Sequence, residues 1–435
     1  MLQRNLLAIL FVGVAGLSFQ LQAETLDLRD AIAQTIQSNP EVLAELREMD
    51  ARERQVREAL GGYYPTVDLL AGFGFQERDP TTEPKADFGR NELDRSEAQI
   101  NLRQLVFDGF DTRSEYRNQQ ARLESSTFRA ASVGETVALQ VARTYFDVMK
   151  QEDIQVLTNQ TLVTHQDIYE KMKKRFDSGV GSRADLDQIS SRLALAKTNA
   201  INQNANVLDA KANFQRVVGR FPAQGELVNP GTYKKYLPAS VDDAVAKAIS
   251  NHPLLKSAGS DIDAVNFSYE QTKSAFYPHF HVEVERDLND NIDGVEGQVD
   301  DLKVMLRMRY NLFRGRSDEA RTQQFAHLVE KAKEVRNNTH RQVEQETRLS
   351  WVAYEAIRDQ LPSLEDYVRD AQLTRDAYVK QFDLGRRTLL DVLNTENEMI
   401  SARESLARAN HDTLLNEYRL FHAMGELLFT VGVEI

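Results

Sequence analysis

Hydrophobic and polar positions alternate in four short stretches of the chain, and each stretch predicts a β-strand. In residues 65–76, Val67, Leu69 and Phe73 fall on one face, whereas Asp68 and Gln76 fall on the other. The stretches near residues 97–107, 278–286 and 301–312 alternate in the same way, with these apolar positions: Ala98, Ile100 and Leu102; Phe280, Val282 and Val284; Leu302, Val304, Leu306 and Met308. The pattern therefore predicts a sheet with one apolar face and one polar face.

Two much longer stretches, residues 111–178 and 317–384, are rich in helix-forming residues and have heptad-like apolar spacing. A helix of this length spans about 100 Å, which suits a coiled-coil wall rather than a compact domain. Each long stretch leads through a turn into a shorter helical one, residues 182–219 and 388–425. Pro362 interrupts the second long stretch, and we expect it to kink or locally unwind the helix.

The chain repeats one unit. The stretch FDSGVGSRADLD, residues 176–187, aligns without a gap with FDLGRRTLLDVL, residues 382–393, and residues 31–45 align with residues 244–258. We therefore divide the chain into a first structural repeat, 24–230, and a second, 231–435. Each reads helix, strand, loop, strand, long helix, turn, helix. The spacing between repeats changes only between the paired strands, at residues 77–96 and 287–302, which we interpret as surface loops.

The N-terminal residues and the composition indicate where in the cell the protein is located and which partners it can bind. Residues 1–23 contain one Arg, an apolar run from Leu6 to Phe19 and a small residue, Ala23, as a secretory signal peptide does. That run is short of the roughly 18–20 apolar residues that span a bilayer. Because the sequence has no Cys, we expect neither a lipidated cysteine nor a disulfide. The net charge of −13 argues against nucleic acid as a partner, since phosphate binding requires a basic surface.

Catalytic motifs are missing from the sequence. There is no GxSxG, no GK[ST] phosphate loop and no HExxH, so we expect no enzymatic activity and no cofactor. One face of a strand carries four residues whose side chains can bind metals: His279, His281, Glu283 and Glu285. Polar residues that face the water inside a barrel look the same, and we favour that interpretation.

Four strands cannot close into a membrane-spanning barrel, because open edges leave backbone groups unpaired in hydrocarbon. Two copies would give eight strands with a filled interior, and three would give twelve strands with an open lumen. We favour three, with a lumen lined by Asp68, Gln76, Arg103, Glu283, Glu285, Arg307 and Arg309. Aromatic residues at the strand ends also favour a membrane barrel over a soluble amphipathic sheet: Tyr63, Tyr64, Phe107, Phe110, Phe276, Tyr277 and Phe313.

Taken together, the signal peptide, the repeat, the four strands, the long helices and the FDxG turns resemble the TolC family of outer-membrane channel proteins. The resemblance covers essentially the whole mature chain. It implies a mixed α+β membrane protein of the cell outer membrane, a homotrimer with a twelve-strand barrel and a long α-helical coiled-coil barrel extending into the periplasm. It also implies that the turns close the periplasmic mouth and dock a periplasmic adaptor protein.

The same resemblance assigns roles to residues of the two turns. In the second turn Gly385, Arg387 and Asp391 match the family pattern, but Asn394 stands where a second constriction Asp is usual, so we expect one acidic ring. The predicted aperture residues are Asp391, Arg387, Asn394 and Asp185, and the predicted docking residues are Phe176, Gly179, Phe382 and Gly385. The residues alone predict a positive φ at Gly179 and Gly385, where each long helix ends. Without the resemblance, periodicity favours plain αα-hairpins in which an Asp serves as a helix N-terminal charge.

The expected function is an exit duct for protein in type I secretion, working with an inner-membrane ABC transporter and an adaptor. The cargo would be a protein such as a large adhesin or toxin. The stretch LRQLVFDGF and the missing lipidation cysteine place the resemblance closest to that branch. Two alternatives stay open at this point: the outer-membrane component of a proton-driven multidrug pump, and a periplasmic coiled-coil scaffold that never enters the membrane.

Overall fold

The computed structural model describes residues 25–78 and 91–434. The predicted signal peptide, residues 1–23, and most of the loop predicted between the first two strands lie outside these ranges. The first repeat contains α1 (Leu28–Ser38), α2 (Pro40–Gly61), β1 (Thr66–Arg78), β2 (Asn91–Phe107), α3 (Asp111–Asp177) and α4 (Arg183–Val218). The second contains α5 (Val241–Asn251), α6 (Pro253–Thr272), β3 (His279–Asp290), β4 (Gln298–Arg309), α7 (Ser317–Asp383), α8 (Leu389–Met424) and α9 (Leu427–Val431).

The N-terminal helical segment of each repeat is two helices rather than the single helix that the pattern predicts. The break falls at Pro40 and Pro253, each of which begins a new helix at its first position. Proline favours extended backbone in the residue before it, and the preceding Asn39 has ψ 126° and caps the new helix. By contrast, α7 is helical throughout Ser317–Asp383, so Pro362 does not locally unwind it.

The four strands form one antiparallel sheet in the order β1-β2-β3-β4. Strand β2 begins at Asn91, earlier than the predicted start near residue 97. The prediction missed the first residues of the strand because they are polar and show no apolar alternation. Strand β3 likewise runs on to Asp290, past the predicted end near residue 286, and β4 begins at Gln298. The second inter-strand connection is therefore only residues 291–297.

The register of the sheet separates the two faces as predicted. Leu102 pairs with Val67 on one side and Val284 on the other, and Val284 pairs with Val304, so apolar residues run across all four strands. This face is largely uncovered within the chain: Leu69 is 72% exposed and Phe73 is 84% exposed. In the part of the chain that the structure describes, no helix is long and apolar enough to cross a membrane.

The opposite face of the sheet carries a network of ion pairs. Arg103 donates to Glu283 at 2.8 Å, and Arg307 also contacts this carboxylate. Lys303 bridges Glu285 and Asp287 at 3.1 and 2.7 Å. The residues considered as metal ligands are thus partly occupied by basic partners, and the described residues contain no cluster of His, Cys, Asp and Glu that could hold a metal ion.

The main hydrophobic core lies at the middle of the long helices, where the short helices α1, α5 and α9 pack around α3, α7 and α8. Val137, Val141 and Val148, which follow the predicted heptad-like spacing, are fully buried there. The hydroxyl of Tyr145 lies 2.7 Å from the carbonyl of Leu26 and 2.6 Å from that of Val228. These hydrogen bonds therefore connect the start of the described chain and the linker between the repeats to α3.

Candidate functional site

The two turns at the far ends of the long helices have the same backbone geometry. Gly179 and Gly385 follow the last residues of α3 and α7 with φ 78° and 71°, in the left-handed region that favours glycine. In the first turn the N–H groups of Val180 and Gly181 donate to the carbonyl of Arg175. The sequence-based expectation of a positive φ at both glycines is confirmed, and the turn reverses the chain into α4 or α8.

The helices that leave the two turns are capped differently. At the start of α8, Thr388 and Asp391 form a reciprocal capping box: the Asp391 amide donates to the Thr388 hydroxyl at 3.2 Å, and the Thr388 amide donates to the Asp391 carboxylate at 3.1 Å. At the start of α4, the Ser182 hydroxyl accepts only from the amide of Ala184, at 3.1 Å. Asp391 therefore has a structural role as a cap, as the plain-hairpin interpretation allowed.

The capping box also fixes the charge of Asp391. Hydrogen bonds from the backbone and hydroxyl of Thr388 hold the pKa of Asp391 below its usual range, and the nearby Arg387 adds to this effect. The carboxylate is consequently ionised throughout the physiological pH range. Negative charge at a helix N-terminus is also favoured by the helix dipole.

A small hydrophobic cluster joins the two hairpins just behind the turns. Met172 and Ile189 of the first hairpin pack with Leu389 and Leu393 of the second, and Phe382 lies against them. The guanidinium of Arg175 lies 5.5 Å from the centre of the Phe382 ring, a cation–π contact between the repeats. The two tips of one chain therefore form a single packed unit.

The predicted docking residues Phe176 and Phe382 differ in surroundings. Phe382 faces the cluster between the hairpins, whereas the ring of Phe176 is covered by Arg183 from its own hairpin at 5.8 Å. The most exposed apolar side chains at the tips are instead Val180, 76% exposed, and Leu384, 71% exposed. Neither was predicted from the sequence, although each stands immediately beside the turn glycine of its hairpin.

Arg387 braces its own hairpin. Its Nε donates to Gln381 Oε1 at 3.0 Å, and its guanidinium lies 4.2 Å from the centre of the Tyr378 ring. Among the described residues, no hydrogen bond or ion pair joins Arg387 to Asp185, which lies in the first turn of α4. Tyr378 was missed by sequence analysis, but it lies one helical turn before Phe382, a spacing that places both side chains on one face of α7.

Asn394 is exposed on the second turn of α8, three residues beyond Asp391. The tips thus present ionised and amide side chains beside exposed apolar ones. Such a surface suits the binding of another protein, and the tip residues described above include no nucleophile paired with a base.

A family model described as outer membrane efflux protein matches the chain twice, over residues 31–220 and residues 244–426. Together the two matches take in most of the chain.

Three relatives show the range of the similarity. The outer membrane efflux protein BepC of Brucella suis is 25% identical over 75% of this chain and 72% of its own length. The outer membrane protein TolC of Salmonella enteritidis is 24% identical over 98% of this chain and 87% of its own length. The alkaline protease secretion protein AprF of Pseudomonas aeruginosa is 24% identical over 98% of this chain and 90% of its own length.

The fold is that of a solved channel. The crystal structure of the Campylobacter jejuni CmeC outer membrane channel superimposes with a TM-score of 0.81, covering 92% of this chain and 86% of that one at 12% identity. The predicted fold class, a mixed α+β chain with four strands, long helices and two tandem repeats, is confirmed.

Proposed function

This chain belongs to the outer membrane efflux protein family, the family of the TolC proteins, and from that premise we propose that it is the exit duct of a type I secretion system. It resides in the outer membrane and serves as the outer-membrane channel of a tripartite system. The finer proposal, protein secretion with an ABC transporter and a periplasmic adaptor, is supported by the match to the secretion protein AprF along 98% of the chain.

A homotrimer accounts for the surfaces that one chain leaves open. Strands β1 and β4 each have one edge that is unpaired in the described chain. Helix α6 packs on α3, but α2, its counterpart in the first repeat, makes no equivalent packing contact with α7. Neighbouring copies supply both partners if β4 pairs with β1 of the next copy and α7 packs on its α2. Three copies give twelve strands and six tips.

In this assembly the six tips close the periplasmic mouth and dock the adaptor. The three Asp391 side chains, one from each copy, together form one acidic ring. Arg387 and Asp185 lie near the same turn regions, and Asn394 lies one helical turn farther along. Phe176, Gly179, Phe382 and Gly385 shape the tips against which the adaptor packs, with Val180 and Leu384 as its apolar contacts. Within the same proposal, residues 1–23 are a signal peptide, and the two repeats occupy residues 24–230 and 231–435.

Drug efflux with a proton-driven pump is the second candidate, and the efflux protein BepC favours it. The two candidates differ in what the cell loses without the gene. For secretion, deletion should remove one or a few large proteins from the culture supernatant, as measured by mass spectrometry, and leave drug susceptibility unchanged. A lower inhibitory concentration of drugs with an unchanged set of secreted proteins would refute the secretion proposal in favour of the second candidate.

A further inference from the structure

A pocket of about 420 Å³ lies where the sheet meets the long helices of the first repeat. It is lined by basic and aromatic side chains from the start of α3, the end of α6 and the residues that flank these helices, among them Arg113, Arg117, Lys273, Phe110 and Tyr277. Nothing in the proposed transport role uses these residues.

The pocket lies on the apolar side of the sheet. Phe107 pairs with Phe280, which shares its face of β3 with Val282 and Val284. The Phe107 ring contacts those of Phe110 and Tyr277 at centre-to-centre distances of 5.4 and 6.3 Å. The aromatic wall of the pocket therefore continues the exposed apolar face of the sheet into the helical region.

Two cations in the pocket lack an anionic partner. Arg113 lies over the Phe110 ring at 5.9 Å and Arg117 over the Phe267 ring at 5.8 Å, and neither forms an ion pair within the described chain. The one carboxylate in the lining, Glu270, bonds Lys273 at 2.7 Å instead. In a chain with a net charge of −13, two neighbouring unpaired guanidinium groups give the pocket a local positive charge.

The second repeat shows that the fold does not require this arrangement. Its equivalents of Arg113 and Arg117 are Glu319 and Gln323, and Arg316 replaces Phe110. There the cation has an anionic neighbour, since Arg316 lies 3.6 Å from Glu319. At these aligned positions the second junction therefore lacks the basic pair that the first junction carries.

We propose that this pocket binds the phosphate of an anionic phospholipid of the membrane leaflet that faces the periplasm, with the acyl chains lying along the apolar face of the sheet. The guanidinium groups bind phosphate through paired N–H donors. Tyr277 and Phe110 occupy the interfacial depth at which aromatic rings are favoured. The inference rests on the proposed position of the sheet in the bilayer.

The test is native mass spectrometry of the full-length protein purified in detergent, titrated with phosphatidylglycerol. In the double variant Arg113→Gln/Arg117→Gln, binding should weaken by about 25-fold, because each basic side chain near an anionic lipid contributes a factor of about five. Phosphatidylethanolamine with the same acyl chains should bind the parent less tightly than phosphatidylglycerol does. Arg314→Gln/Arg316→Gln is the matched control: it removes two positive charges at the second junction and should leave lipid binding unchanged.

Equal binding of phosphatidylglycerol by the parent and the Arg113→Gln/Arg117→Gln variant would overturn the inference. So would an equal loss in the control variant, or equal binding of both lipids by the parent. The same spectra report whether the protein is trimeric. A parent protein that washes out of membranes at high salt and remains monomeric would overturn the proposed function, and this inference with it.

Discussion

Two histidines, the buried His252 and the largely buried His422, should make the protein sensitive to acid. His252 caps the N-terminus of α6, and its Nδ1 accepts a hydrogen bond from the Leu254 amide at 3.2 Å. His422 lies nearby at the end of α8, 3.7 Å from Glu346 of α7. Burial lowers the pKa of both to about 4: repulsion from His422 adds to the effect on His252, and repulsion from Arg143 and Arg419 adds to that on His422.

The sign of the effect follows from the direction of these shifts. A histidine with a lower pKa in the folded state stabilises the fold fully above its unfolded pKa near 6.5 and loses that contribution as the pH falls towards 4. Between pH 7.5 and pH 5, the effect of each imidazole should lower the free energy of unfolding of the protein by about 2 kcal/mol. Because the two repel each other, their combined loss is at most about 4 kcal/mol.

The perturbation that removes this sensitivity is His252→Asn/His422→Gln. Asparagine is chosen for position 252 because Asn39 occupies the equivalent position in the first repeat, where its Oδ1 accepts a hydrogen bond from the Glu41 amide at 2.8 Å. Neither replacement titrates, and Asn preserves the cap. Between pH 7.5 and pH 5, the free energy of unfolding of the variant should fall by up to about 4 kcal/mol less than that of the parent. For a chain of this size, that difference corresponds to about 4 °C in melting temperature.

The assay is thermal unfolding of the detergent-solubilised protein, followed by circular dichroism at pH 7.5 and pH 5. Comparing parent and variant cancels other titrating groups, among them Glu135: burial raises its pKa to about 7, so its contribution instead grows as the pH falls. His327→Gln, at an exposed position of α7, is the control and should behave as the parent. If the double variant loses as much stability between the two pH values as the parent, the reasoning is refuted.

Three further predictions concern the turn, the core and the loop. Gly385→Ala should destabilise by about 1–2 kcal/mol because a side chain at φ 71° is strained, whereas Gly259→Ala within α6 should be neutral or stabilising in the same melts. Tyr145→Phe should lower the free energy of unfolding by about 1–3 kcal/mol through loss of the bridge between Leu26 and Val228, and an unchanged denaturation midpoint would contradict this. An epitope inserted at Gly294, in the connection 291–297, should be labelled on intact cells; labelling only after permeabilisation would reverse the topology.

Periodicity predicted most of the fold because the elements are long and the repeat supplied each of them twice. It failed where polar residues continue an element, as at Asn91, since a strand extended by ladder hydrogen bonds needs no apolar alternation there. It also missed the helix breaks at Pro40 and Pro253, although proline at a helix start is a recognisable signal.

At the tips, the sequence predicted the glycine conformations because only glycine adopts a positive φ at no steric cost. The contacts between side chains at the tips could not be predicted from the sequence. The contact of Arg387 with Tyr378 depends on how one hairpin packs, and the box between Thr388 and Asp391 has no full counterpart at Ser182, although the two turns align. Contacts between copies at the mouth depend on the assembly, which one chain does not specify.

Planar-bilayer recording tests most directly the central claim that the tips form the charged mouth of a trimeric channel. The parent should show low conductance with a preference for cations. Asp391→Asn, which keeps a capping acceptor but removes the charge, should reduce that preference, and Arg387→Ser, which removes the brace to Gln381 and Tyr378, should raise the conductance. Asp366→Asn, far from the turn on α7, should change neither. Conductance and selectivity in both tip variants identical to those of the parent would contradict the account.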